Sequence, residues 1–141
     1  MKNKIDFNQL LAITPFDGTE GCGFLVGDTT EITAIVATPS LTPSRFQYSI
    51  GFQAWQQMRA TAKETGLTIW GTIHSHPDGP LGPSEKDLDI ASRLRGREVR
   101  AVWHPRTQTL TFYKRDIILQ KRVAVPLWFR ALAKILFIYR P

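Results

Sequence analysis

Two histidines lie two positions apart, where an apolar, β-branched run of the sequence ends in a proline. His74 and His76 are followed by Pro77, which removes a backbone donor and ends strand pairing. Because side chains two apart on a strand point to the same side, both imidazoles can reach one point. Asp87, in the first turn of a predicted helix, can add a carboxylate from the opposite side of the loop. Two imidazoles and one carboxylate leave a tetrahedral zinc ion with a position open to water, as catalytic sites require.

Helix capping is an alternative explanation for two of these residues, Ser84 and Asp87. The sequence from Ser84 to Asp87 is a variant of the capping box, in which Ser84 accepts a hydrogen bond from a free helix N–H. Asp87 would then complement the positive end of the helix dipole. This alternative leaves the two neighbouring histidines unexplained, so metal ligation is favoured for the group as a whole. Zinc lowers the pKa of a bound water toward about 7, and a nearby base is still needed to move the proton.

The same residues carry a resemblance to a known family. The run from His74 to Asp87 resembles the His-x-His-x7-Ser-x2-Asp signature of the JAMM, or MPN-plus, metallopeptidases. Residues 20–27, Glu-Gly-Cys-Gly-Phe-Leu-Val-Gly, are similar to the Glu-x-Cys-Gly-hydrophobic-Gly segment of that family. The resemblance covers roughly residues 5–115. It implies zinc ligands at His74, His76 and Asp87, a general base at Glu20 and an oxyanion-stabilising hydroxyl at Ser84.

The resemblance also implies a function. Family members of this type are zinc-dependent isopeptidases or peptidases, with one zinc per chain, that cleave after the C-terminal tail of a ubiquitin-like protein. The chain has no room for the long insertions of some eukaryotic members, so a minimal prokaryotic type is expected. Two alternatives stay open. One is a non-catalytic MPN scaffold or binding module, and the other is a basic nucleic-acid-associated protein of RadC type, whose loops residues 78–83 resemble.

Helical and strand patterns along the chain predict the elements that position these residues. Helices are predicted over residues 6–13, 53–64 and 85–94, and strands over residues 22–26, 31–38, 67–73, 99–103 and 109–113. A further strand over 117–125 and a closing helix over 127–139 are expected to complete one domain over 1–141. This order predicts an α/β fold, a mixed β-sheet flanked by helices in three layers. The resemblance implies the MPN arrangement, which is cytidine-deaminase-like.

Composition and charge limit the class of protein. The 141 residues are 43% hydrophobic, with four Trp and eight Phe, enough for one core without disulfides. Cys22 is the single cysteine and is expected to be a small core residue, and with no leader pattern a cytoplasmic protein is predicted. The net charge of +6 raises the prospect of a nucleic acid partner. The cations are scattered, however, and a solvated basic face is favoured.

The apolar C-terminal region and His104 are not expected to belong to the metal site. The longest apolar region, residues 123–139, is interrupted by Pro126, Arg130 and Lys134, so no membrane span is expected. The predicted C-terminal helix within it has apolar residues around most of its circumference, which fits either core packing or a contact with a second subunit or partner. His104 precedes a proline and is assigned to a turn or strand end.

Overall fold

A computed structural model describes residues 2–93 and 98–120 of the protein. That part of the chain contains both helices and strands, as the hydrophobic periodicity predicts. Their order is α1 (Phe7–Ala12), β1 (Cys22–Gly27), β2 (Ile32–Thr38), α2 (Phe52–Thr65), β3 (Thr68–Ser75), α3 (Glu85–Arg93), β4 (Val99–His104), β5 (Thr109–Lys114) and β6 (Ile117–Gln120).

The strands form one mixed six-stranded sheet in the order β2-β1-β3-β4-β5-β6. β3 and β4 are parallel, whereas the other neighbouring strands are antiparallel. A parallel pair needs a crossover connection, and α3 lies in the connection between β3 and β4. The predicted α/β fold with a mixed sheet is confirmed.

Helices pack on both faces of the sheet and make three layers. On one face, Leu25 and Ile73 belong to a core that includes Phe7 and Leu10 of α1. On the other face, residues of β1 pack against α2, and residues of β4 and β5 pack against α3. Because strand side chains alternate, His74 lies opposite to Ile73, on the face that α2 and α3 cover.

Local sequence signals mark the start of α1 and the end of α2. Asp6 caps α1 in a capping box with Gln9, and α2 ends at Gly66, which adopts the left-handed conformation. β3 runs two residues beyond its predicted end, because the backbone N–H of Ser75 still donates to Gly21, at 2.9 Å. The histidine pair therefore begins inside the strand.

Some predictions concern residues outside the described part of the chain. The strand predicted over residues 117–125 is observed as Ile117–Gln120, and its remainder lies beyond the described residues. The predicted helix over 127–139 lies entirely outside them, as does residue 94 at the end of α3. The extent of the single domain over 1–141 stays a prediction. Among the helices of the described ranges, none combines the length and apolarity needed to cross a bilayer.

Gly71 of β3 pairs with Val99 of β4. A Cβ atom at this position would collide with the carbonyl group of Val99. We expect Gly71→Ala to lower the free energy of unfolding by about 1–3 kcal/mol, because the two strands would have to separate. Urea unfolding measures the loss. The control is Gly82→Ala, whose Cβ would meet only Thr111, at 3.8 Å, and which should stay within about 0.5 kcal/mol of the parent. Equal losses in both variants would contradict the prediction.

Candidate metal centre

Three predicted ligand atoms converge at the C-terminal end of β3. The Nε2 atoms of His74 and His76 are 3.0 Å apart, and Oδ2 of Asp87 lies 3.3 Å from the first and 3.2 Å from the second. All three residues are buried. Tetrahedral zinc with bonds of about 2.0–2.1 Å holds its ligand atoms about 3.3 Å apart. We call these three atoms the donor triangle, and its size and chemistry fit one tetrahedral metal ion.

The two imidazoles are held in different ways. Nδ1 of His76 lies 3.0 Å from the carbonyl oxygen of Pro80, and because a carbonyl only accepts, this nitrogen carries the proton. When Nε2 carries no proton, its lone pair faces the donor triangle. The ring of His74 stacks on Tyr48, with ring centroids 4.2 Å apart and planes inclined by 21°. Its Nδ1 is buried without a hydrogen-bond partner among the described residues, so packing orients this ring.

Asp87 takes part in the helix cap and in the donor triangle together. Its backbone N–H donates to Oγ of Ser84 at 3.1 Å, and the Ser84 N–H donates to Oδ2 of Asp87 at 2.9 Å. The reciprocal bonds make Ser84 the N-cap of α3. Burial by itself would raise the pKa of Asp87, but hydrogen bonds with His74 and His76 outweigh it and hold the pKa well below its ordinary value. The two sequence interpretations are therefore compatible, since one ionised carboxylate serves both.

Glu20 is brought to the donor triangle from a distant part of the sequence. The N–H of Gly21 donates to Oγ of Ser75 at 2.8 Å, which fastens this segment to the end of β3. Ligand atoms of Glu20, His74 and His76 all lie within 4.8 Å of one another, a group that could hold a metal ion. Burial raises the pKa of Glu20 to about 7. A carboxyl group that titrates near neutrality is suited to proton transfer.

Cys22 and His104 lie outside the donor triangle. Cys22 is a buried free cysteine whose Sγ donates to the carbonyl of Thr38, and burial raises the pKa of its thiol to about 11. A thiol with so high a pKa is a poor nucleophile near neutral pH. His104, at the end of β4, has its Nδ1 3.0 Å from Oγ1 of Thr107 in the following turn.

A cleft of about 590 Å³ opens beside the donor triangle on the face that carries α2 and α3. Tyr48, Thr72 and Arg100 are among the wall residues that sequence reasoning did not assign to the site. Nη2 of Arg100 donates to the hydroxyl of Tyr48 at 2.7 Å. A guanidinium inside the otherwise apolar run of β4 was the available signal for Arg100. Tyr48 gave no such signal, because it lies in an irregular segment before α2.

The sequence profile of a family described as prokaryotic homologues of the JAB domain matches residues 16–116. The chain belongs to this family. Glu20, Ser84 and the three residues of the donor triangle all fall within the matched range of this prokaryotic JAB domain. The resemblance to JAMM or MPN proteins is thereby confirmed at the level of the family. No curated protein matches the sequence.

Solved structures support the same fold for this JAB domain. A solution structure of a protein from Desulfitobacterium hafniense superimposes with a TM-score of 0.67 at 17% identity, over 89% of this chain and 93% of that one. The crystal structure of a JAB1/MPN domain protein from Archaeoglobus fulgidus gives 0.54 at 18% identity, over 89% and 100%. A solution structure of a protein from Salinibacter ruber gives 0.58 at 26% identity, over 90% and 92%.

Proposed function

We propose that this JAB domain is a zinc-dependent peptidase or isopeptidase that cleaves after the C-terminal tail of a ubiquitin-like protein. The observation that carries the proposal is the donor triangle of His74, His76 and Asp87, with the buried carboxyl of Glu20 beside it. Membership of the JAB family supports a metal-dependent hydrolase. The ubiquitin-like substrate is inferred from the family resemblance.

Each step of the hydrolysis has a residue suited to it. His74, His76 and Asp87 would hold one zinc ion, which when bound polarises the scissile carbonyl and lowers the pKa of water. Glu20 accepts the proton of the attacking water as the C–O bond forms, and then delivers it to the leaving amine as the C–N bond breaks. Oγ of Ser84 accepts from the N–H of Asp87, and its own hydrogen remains available to stabilise the oxyanion.

The size of the cleft favours an extended tail over a folded substrate. Pockets of about 300–1,000 Å³ enclose drug-sized ligands, and this cleft falls in that range. A few residues of peptide fit beside the donor triangle, while the body of the modifier stays outside. Glycines next to the scissile bond present the least bulk between the Glu20 segment and Pro80, so a Gly-Gly tail is the expected substrate. Selectivity would then come from the modifier's own tail and body, not from chain linkage.

Tagged ubiquitin-like proteins carrying a short C-terminal extension test this proposal. We expect the zinc-loaded protein to cleave fusions with a Gly-Gly junction, to cleave Gly-Ala more slowly and to leave bulky penultimate residues intact. Mass spectrometry of the products identifies the bond that is cut, and Glu20→Gln is the control. Equal cleavage of bulky tails, or hydrolysis of small amides alone, would contradict the ubiquitin-like substrate. Binding without turnover would support the scaffold alternative.

Nucleic acid binding is not proposed. Two of the clustered arginines, Arg93 and Arg100, contact other side chains within the described residues. Arg93 forms an ion pair with Asp89, at 3.0 Å, along α3. Arg100 lies in the wall of the cleft and contacts Tyr48. These two side chains do not contribute to one continuous basic surface.

A further inference from the structure

We propose that the floor of the cleft binds a carboxylate of the substrate through Arg100 and Thr72. The inference extends the proposed function by assigning a second recognition element to the same cleft. It predicts a substrate whose scissile amide is followed or preceded, within a residue or two, by a carboxylate.

The first observation is a row of polar side chains across three adjacent strands. Thr72 of β3 pairs in register with Arg100 of β4, and Arg100 pairs with Tyr113 of β5. All three side chains lie on the face that α2 and α3 cover. On each strand, a neighbouring residue points to the other face and belongs to the core beneath α1. Polar groups in such a position are unfavourable unless they have partners.

The second observation is that this row has unused hydrogen-bonding atoms. Oγ1 of Thr72, Nε of Arg100 and the hydroxyl of Tyr113 are buried, and none has a hydrogen-bond partner among the described residues. Nη2 of Arg100 donates to the hydroxyl of Tyr48, and the side chain of Tyr113 also lies next to the guanidinium. Thr72 is only 4% exposed, yet both it and Arg100 line the cleft. Two residues with unused hydrogen-bonding groups therefore lie in the wall of a space that a ligand can enter.

The third observation is the charge of the cleft wall. Arg59, Lys86 and Arg100 all line the cleft, and within residues 2–93 and 98–120 none of them forms an ion pair. Arg59 lies over the ring of Trp55, and Lys86 donates to the side-chain amide of Gln47. Neither the Trp55 ring nor the Gln47 amide carries a negative charge.

Most carboxylates of the cleft are already engaged. Asp87 belongs to the donor triangle and Glu20 lies next to it. Asp78 pairs with Arg106 at 3.2 Å and with Arg45 at 3.9 Å. Glu98 is the remaining acidic residue of the wall, against three cations. The part of the cleft around Arg100 therefore attracts an anion.

A carboxylate is the anion that best fits this place. A guanidinium binds a carboxylate with parallel, charge-assisted hydrogen bonds, and a threonine hydroxyl beside it adds a third donor. Arg100 contacts Tyr48, whose ring stacks directly on His74, so one aromatic ring separates the subsite from the donor triangle. This short separation places the carboxylate close to the scissile bond. It is either the free α-carboxylate of the leaving residue or an acidic side chain near the cleavage point.

Peptide binding to the zinc-loaded Glu20→Gln protein tests the subsite without requiring turnover. The probes are fluorescein-labelled peptides ending in Gly-Gly-Ala, made with a free carboxylate or as the amide, and Gly-Gly-Glu amide with its Gly-Gly-Gln amide counterpart. We expect one carboxylate probe to bind roughly 10- to 100-fold more tightly than its neutral counterpart, measured by fluorescence anisotropy. The pair that shows the preference identifies the source of the carboxylate.

Variants of the subsite separate recognition from a structural role. In the same background, Arg100→Gln should remove the preference, Arg100→Lys should keep part of it, and Tyr48→Phe should leave it in place. Thr72→Val keeps the shape of the side chain and should reduce the preference several-fold, which tests the subsite even if Arg100→Gln does not fold. Equal affinity for carboxylate and neutral probes in the parent would overturn the inference. So would equal weakening of both probes by Arg100→Gln. A preserved preference with no cleavage of any fusion would contradict only the peptidase proposal.

Discussion

Replacing His76 by alanine is expected to abolish stoichiometric zinc binding. The parent should bind about one zinc per chain, because three protein ligands and an open position are the pattern of catalytic zinc sites. His76 contributes one corner of the donor triangle, and the bond from its Nδ1 to Pro80 fixes the ring with Nε2 facing His74 and Asp87. Loss of a residue that only orients a metal ligand weakens binding by up to about 100-fold, so loss of the ligand itself should weaken zinc binding by more than this.

Elemental analysis after dialysis, with competition against a chromophoric chelator, measures this effect. His104→Ala is the matched control, because His104 is also a buried histidine at a strand end but lies outside the donor triangle. It should retain the zinc content of the parent. Failure of the parent to bind added zinc, or full zinc content in His76→Ala, would contradict the assignment of the metal centre.

Glu20→Gln is expected to keep zinc and to lose most of the catalytic activity. The substitution preserves the size of the side chain but removes the group that accepts and delivers the proton. Loss of a general base slows such reactions by about 10²- to 10⁴-fold, and we expect a decrease of this size in kcat. The buried environment that raises the pKa of Glu20 to about 7 makes its carboxyl group a suitable base near neutral pH.

Cleavage of the Gly-Gly fusion and the zinc content are measured on the same preparation. Glu85→Gln is the control, since Glu85 is an exposed carboxylate in the first turn of α3 and should retain activity. Loss of zinc from Glu20→Gln would reassign Glu20 as a metal ligand. Its carboxylate lies within 4.8 Å of the imidazole nitrogens, so this alternative is geometrically possible. Full activity with zinc retained would show that another group moves the proton.

Most of the secondary structure could be predicted because its signals are local. The spacing of Trp55, Met58 and Ala62 predicted α2, and Gly66 marked its end. The α/β class followed from the order of these mixed helical and strand segments. The end of β3 was less predictable, because its last hydrogen bonds are made with Gly21 and Trp103, which are distant in sequence.

The amino-acid sequence by itself determined the histidine pair, the capping box of Ser84 and Asp87 and the family. These depend on spacing within one strand and one helix turn, which the geometry of the backbone converts directly into position. Only the tertiary structure decided that Oδ2 of Asp87 meets both imidazoles, that Glu20 lies beside them and that Arg100 and Tyr48 build the cleft next to His74. Those contacts arise from strand order and register, which depend on packing between segments far apart in the chain.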